Sequence, residues 1–193
     1  MKILITSFGP FAEFTENPSN LVMHLLQQQL KSLDLNHVFT YETLEVSYHA
    51  VDLFERKNKL SIYDFVIHLG VATNDNVLRI EVRARNERAG KDVQGNAPLQ
   101  NDIIKNMSDL QTNLNQAQLM KFCSRYPGKV RISKDAGTYL CNYVYFNSLI
   151  NFAPKTKVLF IHIADFINRS DATPALEQTE IISQLINEWL NNE

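Results

Sequence analysis

A cysteine at the start of a helix can act as a nucleophile, and one of the two cysteines in this chain is so placed. Cys141 stands in the run Asp135-Ala-Gly-Thr-Tyr-Leu-Cys-Asn142. A short β-branched stretch, 130–133, precedes it, and an apolar, aromatic segment, 139–152, follows and reads as a buried helix. Ala136-Gly137 reads as a turn, and Thr138 as the cap whose hydroxyl accepts from the first free helix N–H groups. Cys141 then falls in the first turn. There the unpaired N–H groups and the positive end of the dipole favour a thiolate, and the same groups suit an oxyanion. The competing reading is a small, inert, buried thiol, since free cysteine is among the most buried residue types.

A sulfur nucleophile needs a base, and five histidines are available. His24 lies in an amphipathic segment, and His37 and His49 lie at element ends. His68 and His162 both sit near the C-terminal ends of apolar strands, where α/β sheets place their ligand crevice. Each is open to two readings, catalytic base or satisfied core residue. Glu81, flanked by Arg79 and Arg83 on one face of an extended segment, reads either as a surface charge cluster or as the carboxylate that fixes a histidine tautomer. Spacing alone leaves that choice open.

The elements that must position these groups alternate. Strands are expected at 2–6, 37–46, 64–70, 77–85, 129–133 and 157–163. The runs at 64–70 and 157–163 are apolar enough to be covered on both faces. Helices are expected from Asn17-Pro18, with Asn17 as cap and Pro18 where its missing N–H costs nothing, from Ser47 to about residue 60, over 116–126, over 138–152 and over 173–190. In the last, Leu176, Ile181, Ile182, Leu185, Ile186, Trp189 and Leu190 are assigned to one stripe. Segments 7–16 and 86–100 read as loops, and 101–115 has no clear pattern. This alternation predicts an α/β fold, a three-layer α/β/α sandwich around a mostly parallel or mixed sheet, with 1–193 as a single domain.

The totals narrow the function classes. The chain has 193 residues, 45% hydrophobic and 21% charged, with a net charge of −2. There is no basic field for nucleic acid and no apolar run long enough for a membrane. Two cysteines are no disulfide framework, which points to a reducing, cytoplasmic location. Cys123 has no neighbouring cysteine or histidine at metal-ligand spacing, so neither metal nor cofactor is expected.

Four stretches resemble the pyroglutamyl peptidase I family of cysteine peptidases. Ser7-Phe-Gly-Pro-Phe11 with Asn17-Pro-Ser19 is similar to its N-terminal signature. His68-Leu-Gly70, with Leu78-Arg-Ile-Glu81 after a polar loop, is similar to the segment carrying its catalytic glutamate. The run ending Cys141-Asn142 resembles its nucleophile motif, and Phe160-Ile-His162-Ile its histidine segment. The resemblance spans nearly the whole chain. It implies Cys141 as nucleophile, His162 as general base and acid, and Glu81 as its orienting carboxylate. It also implies Phe8, Phe11, Val71 and Leu140 as walls for a pyrrolidone ring, and Asn17 as a contact to the substrate amide. The expected partners are peptides with an N-terminal pyroglutamate. A homo-oligomer is left open, because relatives include tetramers and monomers.

Some positions depart from the family pattern. Val71-Ala-Thr-Asn-Asp75 follows Gly70 where many bacterial members carry Gln-Ala-Gly-Gly. The loop 85–96 keeps Asp92, Gly95 and Asn96, and Arg88 is the candidate for a loop arginine whose backbone helps form the oxyanion site. Ala164 replaces a proline. Two alternative functions follow: a non-catalytic pyrrolidone-binding homologue, and a cysteine amidase acting on another small acyl group.

Overall fold

The structure, a computed structural model, describes residues 1–12, 14–32, 37–73 and 75–191. In chain order the elements are β1 (Lys2–Phe8), α1 (Pro18–Ser32), β2 (Val38–Leu44), α2 (Tyr48–Asn58), β3 (Phe65–Ala72), β4 (Leu78–Glu81), β5 (Arg83–Ala84), β6 (Leu110–Gln111), α3 (Gln116–Cys123), β7 (Val130–Ser133), α4 (Leu140–Asn151), β8 (Lys157–Ala164) and α5 (Ala175–Asn191). Six strands form one sheet in the order β2-β1-β3-β8-β4-β7. It is mixed: β4 runs antiparallel to β8, and the other pairings are parallel. β5 and β6 pair separately.

Side chains alternate along each strand, so the sheet carries two cores. Ile3, Ile5, Ile67, Leu69, Leu159 and Ile161 pack with residues of α1, α3 and α5. Leu4, Phe8, Val66, Val158 and Phe160 pack with residues of α2 and α4. Every residue of β3 is buried, as expected of a central strand covered on both sides. The result is the α/β/α sandwich that the alternation predicts.

Local signals set several boundaries. Asn17 caps α1: its Oδ1 accepts from the backbone N–H of Ser19 at 3.0 Å, and Pro18 is the first helical residue. Ser47 caps α2 through Oγ, which accepts from Ala50 N at 3.1 Å. β1 runs past the expected end to Phe8, because the parallel register with β2 continues through Ser7↔Thr43 and Phe8↔Leu44. Leu176, expected in the apolar stripe of α5, is exposed. Five residues before Ile181 and nine before Leu185, it falls on the opposite side of a 3.6-residue turn from both.

The layer between sheet and helices holds a buried polar chain. Thr6 Oγ1 lies 2.7 Å from His68 Nδ1, and His68 Nε2 lies 2.9 Å from Ser148 Oγ. Ser148 Oγ donates to Glu55 Oε1, and Asn151 Nδ2 donates to Oε2, each at 2.7 Å. Burial drives His68 down to about 3, so it stays neutral. Of its two readings, the satisfied core residue is the one realised.

Burial lifts the Glu55 carboxyl to about 7, against the pull of the Asn151 and Ser148 hydrogen bonds, and Asp52 adds to the rise. The unfolded chain releases that proton near 4.5. Between these values the folded state holds more protons, so stability falls as pH rises through the interval. We expect this group to remove on the order of 3 kcal/mol of unfolding free energy between about pH 5 and about pH 8. Glu55→Gln should flatten that slope. Urea titrations at both pH values would contradict this if variant and wild type lost the same amount.

Candidate active site

The segment leading to Cys141 is built to present a bare helix end. Asp135 Oδ1 accepts from Gly137 N at 3.0 Å, closing a turn that Gly137 completes at φ +79°. The cap is Tyr139 rather than the expected Thr138, and its side chain makes no capping bond to the first helical N–H groups. Thr138 is drawn off by a long-range contact, its carbonyl accepting from Ala89 N at 2.7 Å. The first backbone bond of α4 runs from Tyr143 N to Tyr139 O. The N–H groups of Leu140, Cys141 and Asn142 precede it and stand free of that ladder.

Three side chains fix this helix end. Tyr139 Oη donates to Lys91 O at 2.9 Å. Asn142 Oδ1 accepts from Arg85 N, and its Nδ2 donates to the carbonyls of Arg85 and Glu87. Tyr145 Oη donates to the carbonyl of Glu81 at 2.9 Å, tying α4 to β4. Below, Gly70 leaves room for the sulfur: a Cβ there would lie 2.8 Å from Cys141 Sγ and 2.7 Å from the Phe160 ring. Gly70 pairs in register with His162, so the sulfur lies over the strand position beside His162.

Behind the imidazole lies a carboxylate. Glu81 Oε1 is 2.7 Å from His162 Nδ1, and Glu81 is fully buried. The surface-cluster reading therefore holds for Arg83, which faces Asp109, and fails for Glu81. Arg79 Nη2 is 3.3 Å from the same Nδ1. One nitrogen cannot donate to Glu81 and accept from Arg79 at once. The shorter contact, to a carboxylate, assigns the proton to Nδ1 and leaves Nε2 with its lone pair.

Electrostatics here differ from the expected thiolate. Burial pushes the Cys141 thiol up to about 12, and Glu81 adds to the rise while Arg79 opposes it. Burial also lowers His162, against the hydrogen bond and charge of Glu81, with Arg79 aiding the fall. The resting pair is thus neutral thiol and neutral imidazole. Burial is the largest cause of both shifts and outweighs the helix end.

A cavity of about 330 Å³ opens over this pair. Cys141 and His162 line it, with Phe8, Phe11, Asn17, Val71 and Leu140. The catalytic and pocket residues nominated from the sequence, Arg88 apart, are therefore gathered at one place, Glu81 standing behind His162. Cys141 is half-buried, whereas Cys123 is buried in the opposite core. Asn17 is committed to its cap and to Gly9 O, which its Nδ2 reaches at 2.9 Å; the amide keeps a second N–H.

The structure also corrects the sequence reading. Arg88 does not supply an oxyanion donor: its N–H bonds to Asn101 O at 2.7 Å and its guanidinium to Tyr143 Oη. Ala164 donates its N–H to Gln178 Oε1 at 2.8 Å, a bond that proline could not make. Val46, Thr73, Tyr139 and Arg79 line the cavity without having been nominated. Arg79 was detectable, standing two residues before Glu81 on the same strand face. Asn74, in the stretch after Gly70, lies outside the described residues. Among the described residues no group of three His, Cys, Asp or Glu side chains has the geometry to hold a metal ion. No described helix is long and apolar enough to cross a membrane.

The chain is similar to known proteins along most of its length. A pyrrolidone-carboxylate peptidase of Alkaliphilus oremlandii is 29% identical over 96% of this chain and 90% of its own. Another, from Finegoldia magna, is 31% identical over 84% of this chain and 78% of its own. Among solved structures, the pyrrolidone carboxyl peptidase of Thermus thermophilus superposes with a TM-score of 0.82 at 24% identity, covering 94% of this chain and 96% of that one. The pyroglutamyl peptidase I of Bacillus amyloliquefaciens does so with a TM-score of 0.76 at 22% identity, covering 94% and 90%. The model of one family, pyroglutamyl peptidase, matches residues 1–185. A match of that extent, on a sheet and cavity of this form, means that the chain belongs to the pyroglutamyl peptidase family.

Proposed function

We propose that the protein is a cysteine exopeptidase, an omega-peptidase that hydrolyses the amide bond after an N-terminal pyroglutamyl residue, working as a single domain over 1–193 in the cytoplasm. The observation that carries this reading is the buried 2.7 Å contact between Glu81 and His162 Nδ1, with Cys141 in the same cavity. It leaves Nε2 as the base for the sulfur. As the substrate carbonyl is attacked, the thiol proton passes to His162 and the C–S bond forms. The carbonyl oxygen takes the negative charge and is held by the free N–H groups at the start of α4. The imidazolium, balanced by Glu81, then protonates the departing amine, leaving a thioester on Cys141. Water, deprotonated by His162, releases pyroglutamate and the thiol.

The cavity suits such a substrate. A lactam is neutral, with two flat faces and an amide edge. Phe8, Phe11, Val71 and Leu140 offer apolar walls for the faces, and the remaining N–H of Asn17 offers a donor for the edge. Comparing pyroglutamyl, prolyl and glutaminyl aminomethylcoumarins tests the assignment. Turnover of the first alone is expected. Preference for either of the others would indicate a different small acyl group, and binding of the first without turnover a non-catalytic homologue.

The role of Glu81 has its own consequence. Since the neutral imidazole is the base, the acid limb of kcat/KM follows His162 and should lie below the ordinary histidine value of 6.5. Glu81→Gln removes the charge that raises His162, although its amide oxygen can still accept from Nδ1–H, so the limb should move further down. The plateau rate should fall about 10²- to 10⁴-fold, because the imidazolium loses its balancing charge. A limb that moved up, or an unchanged plateau, would contradict the role.

A further inference from the structure

We propose that Arg79 is a positioning residue for this reaction: its guanidinium is the countercharge of buried Glu81, so that the carboxylate holds the Nδ1–H of His162 without drawing the imidazole into an ion pair. The proposal rests on the reading of the site as a cysteine–histidine hydrolase. Arg79 lies directly across from His162 in the β4–β8 register. Its Nε is 3.3 Å from Glu81 Oε1, its Nη1 is 3.6 Å from Asp75 Oδ2, and its Nη2 is 3.3 Å from His162 Nδ1. Asp75 is shared with Arg131, whose Nη2 it meets at 2.6 Å.

Two features separate this from an incidental surface ion pair. The guanidinium lines the cavity and its side chain is only 22% exposed. Its Nε and Glu81 Oε2 are both buried without a hydrogen-bond partner among the described residues. The Arg79–Glu81 contact is therefore one of charge with charge and lacks directional bonding. That distinction makes the proposal specific, since a different cation on the same strand should serve.

A fully buried carboxylate beside an imidazole has two ways to be balanced. Either the imidazole keeps a second proton, or another cation supplies the charge. The first would place a proton on Nε2 and block it as acceptor for the Cys141 thiol. Arg79 supplies the second. Among the described residues, the charged or titratable groups facing His162 are Arg79 and Glu81 from β4, Asp75 from the segment before it, and Cys141 from α4; β3 places Gly70, Val71 and Ala72, none of them titratable, on that side of the cavity. Removing Arg79 leaves Glu81 and Asp75, both acidic, so the proton should return to the ring.

The test is to follow the His162 ring resonances against pH by NMR in wild type, Arg79→Met and Arg79→Lys, and to record kcat/KM for pyroglutamyl-aminomethylcoumarin on the same samples. In Arg79→Met the imidazole midpoint and the acid limb should both move up by about 1. The variant should then lose about 10-fold in kcat/KM on the acid limb and recover at alkaline pH. Arg79→Lys should keep the wild-type midpoint. An unmoved midpoint in Arg79→Met, or a loss equal at every pH, would overturn the proposal. If Arg79→Met does not fold, a displaced midpoint in folded Arg79→Lys does so instead. The NMR reading does not depend on turnover. A midpoint that shifts in a protein unable to cleave the substrate would sink the peptidase reading and leave the role of Arg79 intact.

Discussion

Cys141→Ser should lower hydrolysis of a pyroglutamyl amide by at least about 10³-fold, while Cys123→Ser should keep most of it. The site is tuned to a nucleophile whose proton can be moved even when burial opposes the anion. Burial already holds the thiol at about 12, and a serine hydroxyl is a far weaker acid, so the same imidazole cannot generate its alkoxide at a useful rate. The substitution is close to isosteric, and the new hydroxyl would still lie over Gly70 in the first turn of α4. Folding should therefore survive, and the loss will report chemistry. Cys123, buried among Leu119, Phe122 and Trp189, belongs to the other core. Its replacement should cost stability, about 1 kcal/mol for a small buried group, and little rate. Equal losses from the two variants would reject Cys141 as the nucleophile.

Gly70→Ala should damage both stability and rate. The added carbon would come within 2.8 Å of Cys141 Sγ and 2.7 Å of the Phe160 ring. Neither neighbour can yield easily. Phe160 is fully buried and its ring packs 4.8 Å from that of His162. Helix α4 is held by the Asn142 clamp and the Tyr145–Glu81 bond. Overpacking of this kind costs about 1–3 kcal/mol. A sulfur displaced by about 1 Å from its line of attack loses on the order of 10² in rate. We expect both effects: a lowered denaturation midpoint, and a kcat reduced about 10²-fold with a smaller change in KM. Wild-type turnover by a folded Gly70→Ala protein would show that Sγ does not work from this position.

The sequence made the layers and most helix starts legible, because those signals are local. Asn17-Pro18 and Ser47 cap the helices they were expected to cap. The continuous apolar runs at 64–70 and 157–163 are adjacent strands in the middle of the sheet. The unresolved choices were long-range. His68 and His162 occupy similar apolar strands, and in register His68 pairs with Phe160 while Gly70 pairs with His162. One pleat repeat therefore separates a histidine bonded to Ser148 of α4 from a histidine at the cavity that Cys141 lines. Nothing in either strand encodes that offset; the family resemblance did.

Glu81 was ambiguous for a related reason. Alternation placed it on a polar face, and only the position of β4 between β8 and β7 turns that face inward. The helix start at Cys141 is visible in sequence, whereas the burial that outweighs it comes from distant strands such as β3, whose Gly70 lies under the sulfur. The 86–100 loop withdraws Thr138 from the capping role its position suggests, through the Ala89 N–H.

Everything proposed for the site requires a bond between the sulfur of Cys141 and the substrate's acyl carbon. Rapid acid quench during turnover of a pyroglutamyl amide, followed by peptide mass analysis, reads that bond directly. The expected result is a pyroglutamyl thioester on the peptide containing Cys141, accumulating when deacylation is slowed and absent after treatment with iodoacetamide. Turnover that persists with Cys141 alkylated, or an acyl group recovered on any other residue, would contradict it.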